Sequence, residues 1–217
     1  MKTILIKIKN SFFQNIFSII FLQVIALLIF ISYFFIPQLK FLFEFLANAK
    51  AKYGVILIMF TTGFSGGVVP DLLNYIFKKN YLIDYKKVFM QFLFWFYKGF
   101  EINLFYTLLA IYIGNSNNFS IVFTKVLIDE FLYTPFWAVP TMLFCYGWIE
   151  KGKIQLSIFS EIILKVKQDY FVVLLLNWII WIPSVAVVYS LPLLLQMPIQ
   201  NVILMIWGIL IVFFAKK

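Results

Sequence analysis

The chain has no arginine and no histidine, a single cysteine, and nine acidic side chains against 18 lysines in 217 residues. Each absence closes off chemistry. Without histidine, a Ser-His-Asp or Cys-His nucleophile cannot be assembled, and His-based zinc or haem ligation is excluded. Cys145 stands alone in an apolar run, so it forms no disulfide within the chain and supplies no thiolate cage; it reads as a small hydrophobe in a helix. No metal site, no cofactor and no enzymatic function is expected on these grounds. The lysine-only basic set, with 28 phenylalanines and frequent Ile and Asn, reflects nucleotide bias in an AT-rich genome rather than a choice of ligands.

What is present is apolar. Residues of that kind make up 64% of the chain, against roughly 45–50% in soluble domains, and a globule of this size has too little polar surface to cover such a core. The solvent is therefore lipid. The formal charge of +9 does not point to nucleic acid, because that requires Lys clustered on a water-facing surface, and here Lys lies in short connections between apolar runs.

A crossing helix needs about 20 largely apolar residues. Six segments qualify, at 14–36, 54–77, 88–113, 121–149, 171–195 and 199–214. Only Gln196, Met197 and Pro198 part the last two, which form either a tight hairpin or one interrupted helix. Lysine near helix ends marks the cytoplasmic-type side, and the connections alternate as six real spans demand. Thirteen lysines fall in the N-terminus, the second and fourth connections and the tail, against three (Lys40, Lys50, Lys52) on the opposite side. The expected fold is an all-α polytopic bundle of about six transmembrane helices, four at least, in one domain over 1–217, with both termini on the cytoplasmic-type side. The first apolar run is too long for an ordinary signal peptide and Ala47-Asn48-Ala49 lies too far downstream for a cleavage site, so the first span is retained. Residues 38–52 alternate apolar and charged positions at helical spacing, as a short interfacial helix does.

Polar residues inside spans are expensive and mark candidate sites. The third span carries Lys98 and Glu101, three apart on one face; the fourth carries Lys125 and Asp129, four apart, with Glu130 adjacent. Counted from their shared loop, Glu101 lies about 18 Å deep and Asp129 about 12 Å. One buried cluster of these five residues follows, which either locks two helices together or lines a hydrated path. In the fifth span Asn177, Trp181 and Ser184 share a face, and Pro183 and Pro192 bend or break the helix, making spans five and six a second wall. Gly63 and Gly67 form a small-xxx-small pair for close helix packing, within the chain or between copies, and Pro70 should distort the same helix. Trp148 and Tyr170, near predicted ends, read as interfacial anchors. An intramembrane hydrolase would need a second Asp in another span, and Asp71 near a membrane edge is a poor partner for Asp129.

The second half carries a constellation of motifs: KVLIDEFLYTP from Lys125, GWIEKGK at 147–153, KQDY at 167–170, NWIIW at 177–181, then Pro192 and Trp207. In order and spacing it resembles the Mpv-seventeen and 22-kDa peroxisomal membrane protein family. Upstream the likeness rests on the Gly-rich second span and KGFEINLFY at 98–106. Glu130 stands where the family has Gln, and Pro183 lies one residue late. The resemblance implies a compact helix bundle, usually drawn with four spans, associated with pore-like passage of small solutes. The expected function is thus a small-solute channel or pore, and the alternative is a non-conducting scaffold subunit. The expected partners are the lipid bilayer, further copies or a membrane complex, with no nucleic acid. The location implied is a bacterial cytoplasmic membrane, or a mitochondrial inner or peroxisomal membrane.

The charge pattern predicts sidedness directly. In a Cys145→Ser background, Asn117→Cys should react with a membrane-impermeant maleimide added outside sealed right-side-out vesicles, whereas Lys86→Cys should react only after permeabilisation. The reverse pattern would invert the topology.

Overall fold

The computed structural model describes residues 2–152 and 156–214, and all regular structure among them is helical. Lys153, Lys216 and Lys217 of the charge pattern lie outside the described residues. The chain forms six helical columns. They are α1 (Lys2–Phe35); α2 (Lys40–Thr62), continuing through a π-helical segment, Gly63–Val68, into α3 (Val69–Phe77); α4 (Tyr85–Tyr112); α5 (Phe119–Ile128), continuing through a second π segment, Asp129–Ala138, into α6 (Val139–Lys151); α7 (Leu156–Tyr189); and α8 (Leu193–Phe214). Asn15–Phe35, Pro37–Phe77, Asp169–Tyr189 and Leu193–Phe213 are long and apolar enough to cross a membrane. The other two columns, α4 and α5–α6, carry the intramembrane charges. The chain is an integral membrane protein built as a helical bundle.

Its burial pattern is the reverse of a soluble protein's. Phe17, Phe35, Phe45 and Phe136 point outward, each at least two-thirds exposed, whereas Lys98, Lys125, Asp129 and Glu130 are buried. Lipid accepts the phenyl rings at no cost, and it solvates no charge. The core joins Leu22 of α1, Ile58 of α2, Tyr106 of α4, Val188 of α7 and Ile203 of α8. Column α2–α3 packs on α4 and α8, α1 lies along α7 and α8, and α6 lies on α7.

The stretch expected as an interfacial helix is helical and ends at Gly54, whose φ of 62° and ψ of −146° turn the chain before the span proper. A side chain is not tolerated in that conformation. Lys50, counted above among the outer charges, is buried, and its Nζ donates to the Leu193 carbonyl at 3.0 Å.

The end of the fifth span differs from expectation. Helix α7 stops at Tyr189, the turn is Ser190–Pro192, and α8 begins at Leu193, so Pro198 lies inside a helix rather than in a loop. Pro192 lacks an N–H and biases Leu191 away from helix, which is why the turn falls there. Gln196 Nε2 then donates to the Leu191 carbonyl at 2.9 Å, and Ser190 Oγ to Val187 O at 2.6 Å, satisfying acceptors at the α7 end and in the turn. The two segments are a hairpin: α8 runs beside α2 through Thr62–Asn201 and beside α1 through Ser18–Leu210. Pro183 does not break α7 either. One residue on from the carbonyl that Pro183 leaves without its usual partner, Ile180 O accepts from both Gln23 Nε2 (2.8 Å) and Ser184 Oγ (2.9 Å). Helix α7 also starts earlier than expected, and its 34 residues reach about 51 Å. Its inner end is pinned by exposed Lys151–Glu161 and Lys165–Glu150 pairs, both at 2.7 Å.

Gly63 and Gly67 are spent inside the chain. A Cβ on Gly67 would lie 2.6 Å from both Cα and N of Phe92 in α4, one on Gly63 would lie 2.7 Å from the Phe92 ring, and Gly99 answers from α4 with 2.9 Å to Met59 Cα. Backbone cannot step aside as a side chain can. Gly67→Ala should therefore cost about 1–3 kcal/mol, read as a lower unfolding midpoint in detergent; an unchanged midpoint would mean that α4 does not sit this close.

Candidate functional site

The two polar walls meet in one place. A cavity of about 120 Å³ is bounded by Lys98 of α4, by Asp129, Glu130, Tyr133 and Thr134 of the second π segment, by Asn177 and Trp181 of α7, and by Gln200 and Asn201 of α8. Counting about 1.5 Å per residue from the outer helix ends puts these groups about 10–23 Å deep, around the middle of a hydrocarbon layer of about 30 Å. Thus Lys98, Asp129, Glu130, Asn177 and Trp181 converge. Glu101 and Lys125 stand just behind the cavity wall, and Ser184 turns away to Ile180 O and, at 3.5 Å, to Gln23.

The ion pair between Lys98 Nζ and Glu101 Oε1 is 2.7 Å long and almost buried. Tyr133 reaches across from the π segment and donates its hydroxyl to the same Glu101 oxygen, while its ring stacks on Phe105 with centroids 4.4 Å apart. Helices α4 and α5–α6 are thereby tied by a charge-assisted bond where no water competes. The second expected pair is absent. Among the described residues Lys125 makes no ion pair; its Nζ sits 5.7 Å from the centre of the Tyr189 ring. Asp129 Oδ2 instead accepts from Tyr189 Oη at 2.7 Å, and Tyr189 packs on Tyr106 at 4.8 Å. The four-residue spacing itself holds, since the Asp129 N–H still bonds the Lys125 carbonyl; the Asp129 carboxylate is taken instead by Tyr189 of α7.

The π register, which begins at Asp129, explains how α7 is held. In a π-helix the carbonyl of residue i bonds the N–H of residue i+5. For Glu130 that residue is Pro135, and for Pro135 it is Pro140, neither of which has an N–H. Both carbonyls are taken by aromatic side chains of α7: Trp178 Nε1 donates to Glu130 O at 2.6 Å and Tyr170 Oη to Pro135 O at 2.7 Å. Tyr170 is therefore a link between helices rather than the interfacial anchor expected from its position.

On the α8 side, Thr62 Oγ1 donates to Asn201 Oδ1 and Asn201 Nδ2 donates to Thr61 Oγ1, both at 2.8 Å. Asp71 is also buried, but it accepts from Tyr81 of the inner loop and does not bound the cavity. That bond first, and burial second, push the Tyr81 hydroxyl up to about 12. A second cavity of about 320 Å³ lies on the inner side, lined by α6 and α7 with Glu150, Lys165 and Asp169 among its walls. Met142 borders both cavities, and beside it Trp95 Nε1 donates to Tyr146 Oη at 2.8 Å.

Tyr133, Tyr189, Gln200 and Asn201 are not singled out by the sequence, and Thr62 reads there only as one of the small residues that let the second span pack closely. Gln200 and Asn201 were hidden by the misplaced turn, which put them at the mouth of the last span; Tyr133 could have been found as the polar-tipped residue one turn after Asp129. No protein-family profile, no curated protein and no solved structure matches the chain.

Removing either aromatic donor strands a buried carbonyl, at about 1–3 kcal/mol. Trp178→Phe and Tyr170→Phe should each lower the thermal midpoint in detergent, and Tyr112→Phe, which alters an exposed hydroxyl, should not. Equal midpoints for all three would remove the account of the π segment.

Proposed function

We propose that the protein admits small solutes across its membrane, as a narrow pore or channel. One observation carries the proposal: a cavity at mid-depth, bounded in part by charged and amide side chains, shares Met142 with a wider cavity that Glu150, Lys165 and Asp169 border. Helices that only needed to be locked together would close over their polar groups, since a void in a bundle forfeits packing contacts. Here Asn177 and Trp181 border empty volume. Membership of the Mpv-seventeen family, whose motifs fall on the α5–α8 half that builds most of this cavity, is part of the same proposal, and so is residence in a bacterial cytoplasmic or organellar membrane.

The cavity's size restricts the cargo. About 120 Å³ is well under the 300–1,000 Å³ or so of a pocket for drug-sized ligands. A nucleotide does not fit this conformation.

Purified protein in planar bilayers tests the proposal. Discrete conductance is expected, reduced by Asp129→Asn or Glu101→Gln and raised several-fold by Met142→Ala, which shortens the shared wall. Correctly folded protein that stays electrically silent would sink the pore and leave the scaffold role.

A further inference from the structure

The hydrogen-bonding groups around the central cavity are unequally spent. Four donors have acceptors within the protein: Lys98 Nζ and Tyr133 Oη on Glu101, Trp95 Nε1 on Tyr146, Asn201 Nδ2 on Thr61. Two buried acceptors have no donor. Glu130 is only 1% exposed and its Oε2 has no partner, and Gln200 Oε1 is likewise buried and unpartnered. Both residues bound the cavity. Charge leans the same way. Glu101 balances Lys98, and Lys125 offsets one of the two carboxylates Asp129 and Glu130, which leaves one formal negative charge with no counter-ion.

An unpaired buried carboxylate is costly, so it takes up a proton or is offset by a cation. Resting on the solute-passing role proposed above, we propose that the central cavity binds a small organic ammonium ion, with Glu130 as its counter-ion and Gln200 as a second acceptor. An ammonium supplies what these two acceptors lack, N–H donors carried on a positive charge. The rest of the wall suits its carbon stem. Phe94, Trp95 and Trp181 offer aromatic surface, which attracts cations through the ring quadrupole, and Ile102 and Leu204 are aliphatic. A bare divalent metal does not suit it, because hard cations take six or more oxygen ligands, and no group of three or more His, Cys, Asp or Glu able to hold a metal occurs among the described residues. An anion would meet unshielded carboxylates. The volume limits the guest to a few heavy atoms, the size of methylammonium or ethylammonium.

Trp95 and Trp181 in the cavity wall provide a readout that does not depend on conduction. Ethylammonium chloride titrated into the full chain in detergent should give a saturable change in tryptophan fluorescence that sodium chloride and sodium acetate do not. Glu130→Gln, isosteric but neutral, should weaken it by about tenfold or more, as expected for loss of a buried charge partner, and Gln200→Leu should weaken it less; circular dichroism and size exclusion check that each variant is folded. A wild-type protein with no saturable response, or one whose response survives unchanged in folded Glu130→Gln, overturns the ammonium site. In proteoliposomes, uptake of radiolabelled methylammonium that exceeds uptake of urea and acetate, and falls in Glu130→Gln, supports it; equal uptake of all three overturns it while leaving the pore standing. Saturable binding by a protein silent in bilayers has the opposite meaning: the site stands and the pore falls.

Discussion

Every backbone and side-chain polar group at membrane depth must find its partner inside the protein, because hydrocarbon offers none. The bundle is organised by that constraint. Phenylalanine faces outward because lipid receives it freely, and lysine, aspartate and glutamate face inward because nothing else will. Once five charged side chains are forced to the axis of two helices, those helices must sit against others that can answer them. Tyr133 answers Glu101, Tyr189 answers Asp129, and Trp178 answers the Glu130 backbone. Tyrosine and tryptophan serve well here, since each carries an apolar body for the packing and one polar atom for the bond.

The prolines belong to the same account. In water a proline inside a helix leaves a carbonyl that solvent can reach; in lipid the freed acceptor needs a specific donor. Pro135 and Pro140 free the Glu130 and Pro135 carbonyls, and Trp178 and Tyr170 occupy them. Near Pro183, Gln23 and Ser184 share the Ile180 carbonyl. Irregular backbone thus becomes the means by which α7 is fastened to α6 on one side and α1 on the other. Among the described residues six buried side-chain oxygens are left out of this pairing, and two of them, Glu130 Oε2 and Gln200 Oε1, belong to residues that bound the central cavity.

The outline of the fold was legible because membrane thickness and loop charge are strong, simple signals. Six columns follow from apolar length, and the helix ending at Gly54 follows from periodicity. The ends of elements were less legible. Hydropathy cannot place a turn within a continuous apolar run, so the fifth span ran six residues too far and Gln200 and Asn201 looked superficial. The charged residues of the site were readable because their cost in lipid makes them conspicuous, and the α7 face because its spacing is helical. The Lys125–Asp129 pair failed for a definite reason: spacing says which side chains share a face of one helix, not which neighbour on another helix takes them, and Tyr189 of α7 takes Asp129. The tyrosines that complete the network were overlooked because, in a chain so rich in aromatics, one more looks like another lipid-facing ring.

The π segment at Asp129–Ala138 also gives this column an unusual tolerance toward changes of length. A π turn holds one residue more than the α turn it replaces, and both close one circle, so deleting a single residue there would let the backbone relax toward ordinary helix while α6 kept its heading relative to α5. What would be lost lies inside the segment: the carbonyls of Glu130 and Pro135, freed by the prolines five residues on, that Trp178 and Tyr170 of α7 now occupy. In this protein the extra residue is absorbed locally and turned into a place of attachment for a neighbouring helix.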